Sequence, residues 1–101
     1  MVRITDLMEL TIERKGSDLH INPGRPPVIR IDGSLQAIEE DVLDEAATET
    51  LCRELCSEKQ WEEVAQIGTT DFGLAHESGN RFRVSVLKQR GRFAAVLRLI
   101  P

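Results

Sequence analysis

Residues 81–99 read Arg-Phe-Arg-Val-Ser-Val-Leu-Lys-Gln-Arg-Gly-Arg-Phe-Ala-Ala-Val-Leu-Arg-Leu. Successive side chains of a strand point to opposite faces. Over residues 81–87 this puts Phe82, Val84 and Val86 on one face and Arg81, Arg83 and Ser85 on the other. Over residues 93–99 it turns Phe93, Ala95, Leu97 and Leu99 inward and Arg98 outward. Residues 88–92 form the turn between the two strands, with Gly91 supplying a positive φ. A two-residue turn at Arg90-Gly91 sets Arg83 opposite Arg98, and one at Gln89-Arg90 sets Arg81 opposite Arg98. Either register that keeps the apolar faces aligned brings arginines together on the non-core side. Like charges directly opposite in a sheet are destabilising. Such an arrangement points to an anion or a carboxylate-bearing partner, with an ordinary solvated face as the alternative.

Outward from this pair, residues 70–75 read as a third strand with Phe72 and Leu74 on one face. Upstream of it lie two helices. Asp44 caps the first, which buries Ala47, Leu51 and Leu55. Ser57-x-x-Gln60 is a capping box for the second, with Trp61, Val64 and Ala65 apolar and Gly68 as its stop. Residues 18–22 alternate as a half-buried strand, Leu19 and Ile21 to one side and His20 to the other. The run Pro23-Gly24-Arg25-Pro26-Pro27 interrupts regular structure. Residues 28–31 form a strand with Ile29 and Ile31 inward and Arg30 outward. Asp32-Gly33 then makes a hairpin into residues 35–38. Residues 1–15 read as a helix with Leu7, Met8 and Leu10 apolar, capping-box spacing at Asp6 and Glu9, and Gly16 as its stop. The order αβββααβββ predicts an α+β fold, a mainly antiparallel sheet with helices packed on one face.

The whole chain, residues 1–101, is one small domain. Its 29 Leu, Ile, Val and Phe residues suffice for one modest core and exclude a disordered chain. No apolar run reaches the length of a membrane-spanning helix. Arg3 and Asp6 interrupt the N-terminal apolar stretch, which excludes a secretory signal. Two cysteines without such a signal read as a reducing, cytoplasmic setting. Net charge is −4 but unevenly spread. Residues 39–63 carry ten acidic against two basic side chains, whereas residues 81–98 carry six basic and none acidic. An acidic overall balance and core-facing Phe72, Phe82 and Phe93 count against nucleic acid, which needs exposed stacking surfaces.

Other constellations read as structural. Cys52 and Cys56 share a helix face, but a structural zinc site needs four ligands, so core packing is the reading. On a strand Asp18 and His20 share one face that Ser17 cannot join, and no nucleophile elbow is present, so no catalytic triad is read. Asp71-Phe72-Gly73 spells the kinase metal-binding tripeptide without any other kinase element. No phosphate-cradling P-loop is present, so no catalytic or metal-binding residue is expected in this chain alone.

Taken in order, Gly16-Ser17-Asp18-Leu19-His20, Pro26-Pro27-Val28-Ile29-Arg30-Ile31-Asp32-Gly33, Thr70-Asp71-Phe72, Arg81-Phe82-Arg83-Val84 and Leu97-Arg98-Leu99-Ile100-Pro101 resemble the N-terminal domain of the secretion-ATPase superfamily. The similarity is greatest to the ATPases that retract type IV pili in twitching motility, and a start only 16 residues ahead of Ser17 favours that branch. The alternatives are a type II secretion or pilus assembly ATPase, and a freestanding PAS-like small-molecule sensory module. The resemblance implies a PAS-like domain followed, after residue 101, by a RecA-like ATPase domain. It implies a homohexamer working at the inner membrane with the pilus machinery, on its cytoplasmic side. ATP and Mg are implied for the full-length protein, with neither held tightly by this chain. It further implies that Arg81, Arg83 and Arg98 reach the nucleotide phosphates, leaving open which of Arg81 and Arg83 is closer.

Overall fold

A computed structural model describes residues 2–38 and 41–101; Met1, included in the expected first helix, lies outside the described residues. Helix α1 spans Ile4–Glu13. Strands β1 (Asp18–Ile21), β2 (Val28–Ile31) and β3 (Ser34–Ala37) follow, then helices α2 (Glu45–Leu55) and α3 (Glu58–Ile67). Strands β4 (Thr69–Ala75), β5 (Arg81–Gln89) and β6 (Arg92–Ile100) complete the chain. The six strands form one antiparallel sheet in the order β3-β2-β1-β6-β5-β4. Two three-stranded meanders, β1–β3 and β4–β6, are thus joined by pairing of β1 with β6. This is the expected α+β architecture and element order.

The inner faces of the strands and the buried stripes of the helices share one core. Leu19, Ile21, Ile29, Phe82, Val84, Val86 and Leu97 are fully enclosed with Leu7, Leu51 and Val64. Trp61 of α3 stacks on Phe93 of β6, ring centroids 4.6 Å apart. Such burial is the dominant stabilising contribution, about 1.5–3 kcal/mol for each large apolar side chain. Val64 carries α3 onto the core, whereas Ala65, expected beside it, is exposed. One residue further round the helix, 100° from Val64, already faces water.

Helix ends follow the expected caps in α2 and α3. Asp44 accepts from the Ala47 N–H, and Ser57 and Gln60 complete a reciprocal capping box. Helix α1 departs from expectation at both ends. It begins before Asp6, because Ile4 is needed in the core, and the Asp6–Glu9 box is not its cap. Glu54 of α2 instead accepts from the Ile4 N–H at 3.2 Å. At the other end Lys15, not Gly16, takes the left-handed conformation, at φ 56°. Gly16 is required for a different reason: a Cβ there would sit 2.4 Å from Ile29 Cγ2.

The turns fix the register. Asp32 and Gly33 both have positive φ (50° and 79°), as do Arg90 and Gly91 (54° and 78°). Such mirror-image turns match the right-handed strand twist and set a two-residue loop. The Arg90-Gly91 turn therefore selects the register in which Arg83 opposes Arg98.

Candidate anion site

On the sheet face away from the helices, the registers line up one row across five strands: Arg30 of β2, Asp18 of β1, Arg98 of β6, Arg83 of β5 and Gly73 of β4. Alternation places Arg81 on the same face one row further along, opposite Ile100. The guanidinium of Arg81 lies over Gly73, 3.8 Å from where a Cβ would stand. The three arginines expected on one face are on it, and Arg83 rather than Arg81 is the direct neighbour of Arg98.

Asp18 sits between Arg30 and Arg98 in the row, buried to 7% exposure. Its Oδ1 accepts from Arg98 Nε at 3.1 Å, and its Oδ2 accepts from Ser17 Oγ at 2.9 Å and lies 3.7 Å from Arg30 Nε. Burial pushes the Asp18 carboxyl up, but the Ser17 hydroxyl and the Arg98 guanidinium outweigh it, and the group is held below the ordinary carboxylate value. Arg98 thus has a countercharge that residues 81–98 themselves lack. Its partner lies 80 residues earlier in the chain, brought alongside by the β1–β6 pairing. Ser17 corrects the sequence reading. It precedes β1, outside the strand alternation, so its hydroxyl reaches Asp18 after all.

The arginines differ in how they are tied. Arg30 is engaged at both ends, Nε toward Asp18 and Nη1 donating to the Gly33 carbonyl at 3.3 Å. Among the described residues Arg98 is engaged through Nε alone, and 73% of its side chain is exposed. Arg83 has no carboxylate partner among the described residues. A hollow of about 200 Å³ is lined by Arg83, Arg98, Ser85 and Val96. Ser85 donates its hydroxyl to Asp71 on β4. Chemically this is two guanidinium groups beside a shallow recess, a geometry suited to phosphate oxygens. Larger hollows of about 350 and 320 Å³ flank α1 near the β4–β5 turn, but Glu9 and Glu77 line both, the wrong charge for phosphate.

Cys52 is fully buried, and burial, then the neighbouring Cys56, pushes its thiol up to about 12. Cys56 is partly buried and also raised by burial. Among the described residues no three His, Cys, Asp or Glu are placed to hold a metal ion. His20 shares a face with Asp18, but its Nε2 is buried without a hydrogen-bond partner, so no triad forms. Asp71, Phe72 and Gly73 lie in edge strand β4. No helix among the described residues is long and apolar enough to cross a membrane.

No protein-family model matches the chain. Individual proteins do. The chain superimposes on the crystal structure of the pilus retraction motor PilT with bound ADP at a TM-score of 0.91 and 32% identity, covering 100% of this chain and 30% of that one. In sequence and fold the chain is similar to the N-terminal region of pilus ATPases. It is homologous to the N-terminal region of the type IV pilus retraction ATPase PilT of Pseudomonas aeruginosa, 33% identical over 98 residues. That match covers 97% of this chain and 28% of PilT. The type IV pilus ATPase PilU of the same organism is 31% identical over 94 residues, covering 93% of this chain and 25% of PilU. The chain therefore spans between a quarter and a third of the relatives it matches.

Arg30, Asp18, Ser17 and Ser85 are the site residues that sequence reading missed. The alternation did place Arg30 and Asp18 outward, but only the pairing of β1 with β6 shows that they share a row with Arg98.

Proposed function

We propose that this chain is the N-terminal domain of a hexameric ATPase that powers type IV pilus retraction. In this reading a RecA-like domain carrying the P-loop follows residue 101. Arg83 and Arg98, with Arg81 alongside, reach the phosphates of ATP bound with Mg by that domain. The protein works on the cytoplasmic side of the inner membrane, against the pilus machinery and neighbouring subunits. The chain alone, lacking a P-loop, hydrolyses nothing.

The observation that carries this reading is the direct opposition of Arg83 and Arg98 on an exposed sheet face. Two like charges set side by side serve stability poorly. They serve an anion well, since forked guanidinium donors match phosphate oxygens and stay charged at every physiological pH. Fixed cations near a transferring phosphoryl group stabilise the charge spread over its oxygens in the transition state. The homology to PilT, whose structure contains ADP, supplies the nucleotide for which such a face is suited.

The test is steady-state ATPase turnover of the full-length protein. Arg98→Ala or Arg83→Ala is expected to lower it by roughly 10- to 1000-fold, the scale of losing one charge-stabilising group. Lysine is expected to rescue poorly, because it lacks the planar fork. Unchanged turnover in a protein lacking Arg81, Arg83 and Arg98 together rejects the reading.

A further inference from the structure

We infer that Asp18 is a positioning residue for the anion site: it grips Arg98 by Nε so that the terminal guanidinium nitrogens stand free beside Arg83. The inference rests on the proposed use of these arginines as a phosphate site, and names what holds that site in shape.

An arginine that is 73% exposed has many rotamers open to it. One hydrogen bond at Nε removes most of that freedom while using a single one of the five guanidinium N–H groups. Among the described residues the terminal nitrogens of Arg98 have no protein partner. The grip is itself firm. Asp18 lies on the central strand β1, is nearly buried, and has its second oxygen held by Ser17 and faced by Arg30. Arg30, with its other end on the Gly33 carbonyl, is spent on bracing Asp18. The row is therefore graded: Arg30 tied at both ends, Arg98 at one, Arg83 at neither.

The charge of Asp18 argues for positioning rather than potential. A carboxylate beside a phosphate site repels the ligand. On Coulomb's law alone, removing Asp18 makes the site more attractive to an anion. On the positioning reading, removal releases Arg98 into its rotamers, and binding must then pay to order it again. The two mechanisms predict opposite signs for the same substitution.

The experiment is an NMR titration of this chain with inorganic tripolyphosphate at low salt and pH 7, following the Arg98 and Arg83 Nε–H signals. Wild-type chain is expected to bind through both arginines. Asp18→Ala should weaken binding about 3- to 10-fold although the chain gains positive charge, the scale of ordering one long side chain. Asp18→Glu keeps the charge and moves the carboxylate by one methylene, so it should also weaken binding. Both should shift the Arg98 Nε–H signal toward that of a free arginine and leave Arg83 unshifted. Should the alanine variant fail to fold, the Glu variant carries the test. Equal or tighter binding by the Asp18 variants, with Arg98→Ala still abolishing it, overturns the inference and leaves the arginine site standing. No binding by the wild-type chain overturns both.

Discussion

Strands β5 and β6 present two faces made by one alternation, and the faces follow opposite physical rules. On the inner face Phe82, Val84, Val86 and Leu97 are wholly enclosed. On the outer face Arg83 opposes Arg98, and the carboxylate at Arg98 comes from another strand. The inner face lowers the energy of this chain by itself. The outer face sets like charges side by side and, on the proposed reading, is completed by a ligand. A β-ribbon can thus separate stability from binding, residue by residue, at no cost in length.

The sharpest way to break this comparison is Phe82→Ala. The ring is fully buried on the inner face of β5, so its loss is expected to cost about 3–5 kcal/mol, through lost transfer energy and the cavity left behind. Urea denaturation of the chain checks this, and a cost below about 1 kcal/mol would mean that the inner face does not carry the fold. Cys52 of α2 belongs to the same core. Cys52→Ala is expected to cost roughly 1–3 kcal/mol by the same cavity mechanism and to leave the metal content unchanged. Because its thiol is pushed up to about 12, Cys52 should also react far more slowly with iodoacetamide at pH 8 than partly exposed Cys56. Mass spectrometry of a time course reads out both sites. Alkylation at equal rates would show that the core is open at α2.

The inner face was legible in the sequence because its signal is local. Period-two alternation named every core residue of β5 and β6, and Arg90-Gly91 named the turn that sets their register. Caps at Asp44 and Ser57 were legible for the same reason, since donor and acceptor lie three residues apart. The outer face was legible only in part. Alternation put Arg81, Arg83 and Arg98 outward, but the carboxylate that holds Arg98 is 80 residues away. Nothing in either strand announces that β1 inserts between β2 and β6. The start of α1 failed similarly. Its cap is Glu54, 50 residues downstream, so the local Asp6–Glu9 pattern misled. Gly16 reads in the sequence as a source of backbone freedom, whereas the real constraint is the methyl of Ile29 across the layer.

A smaller effect separates the two outer arginines. Arg98→Ala in the chain removes a pair to a buried carboxylate but exposes little apolar surface. Largely exposed pairs contribute up to about 1 kcal/mol, so a loss near that value is expected at pH 7. The pH dependence has a definite sign. The folded-state pKa of Asp18 is lowered, so its ion pairs stabilise the fold above the ordinary Asp value of about 3.9, and that stability is lost as pH falls through the folded value. The stability gap between wild type and Arg98→Ala should therefore narrow as pH falls below about 4. Denaturation series at pH 7 and pH 3 measure it. A gap as wide at pH 3 as at pH 7 would show that Arg98 acts by packing rather than by its charge.

Arg83 is expected to show the smallest effect, and it tests the comparison most directly. It lies on the same face, opposite Arg98, with no carboxylate partner among the described residues. Its loss removes no pair and relieves one like-charge opposition. Arg83→Ala should then leave stability unchanged within about 0.5 kcal/mol, or raise it slightly, with the rise shrinking as salt is added. In full-length protein the same substitution is expected to be among the most damaging to turnover. Stability and function would then part company at one residue, which happens when a side chain is kept for a ligand and not for the fold. If Arg83→Ala instead destabilises the chain by 1 kcal/mol or more, the outer face is held together by its own contacts. The contrast between the two faces of β5 would then fail at the position where it is drawn most sharply.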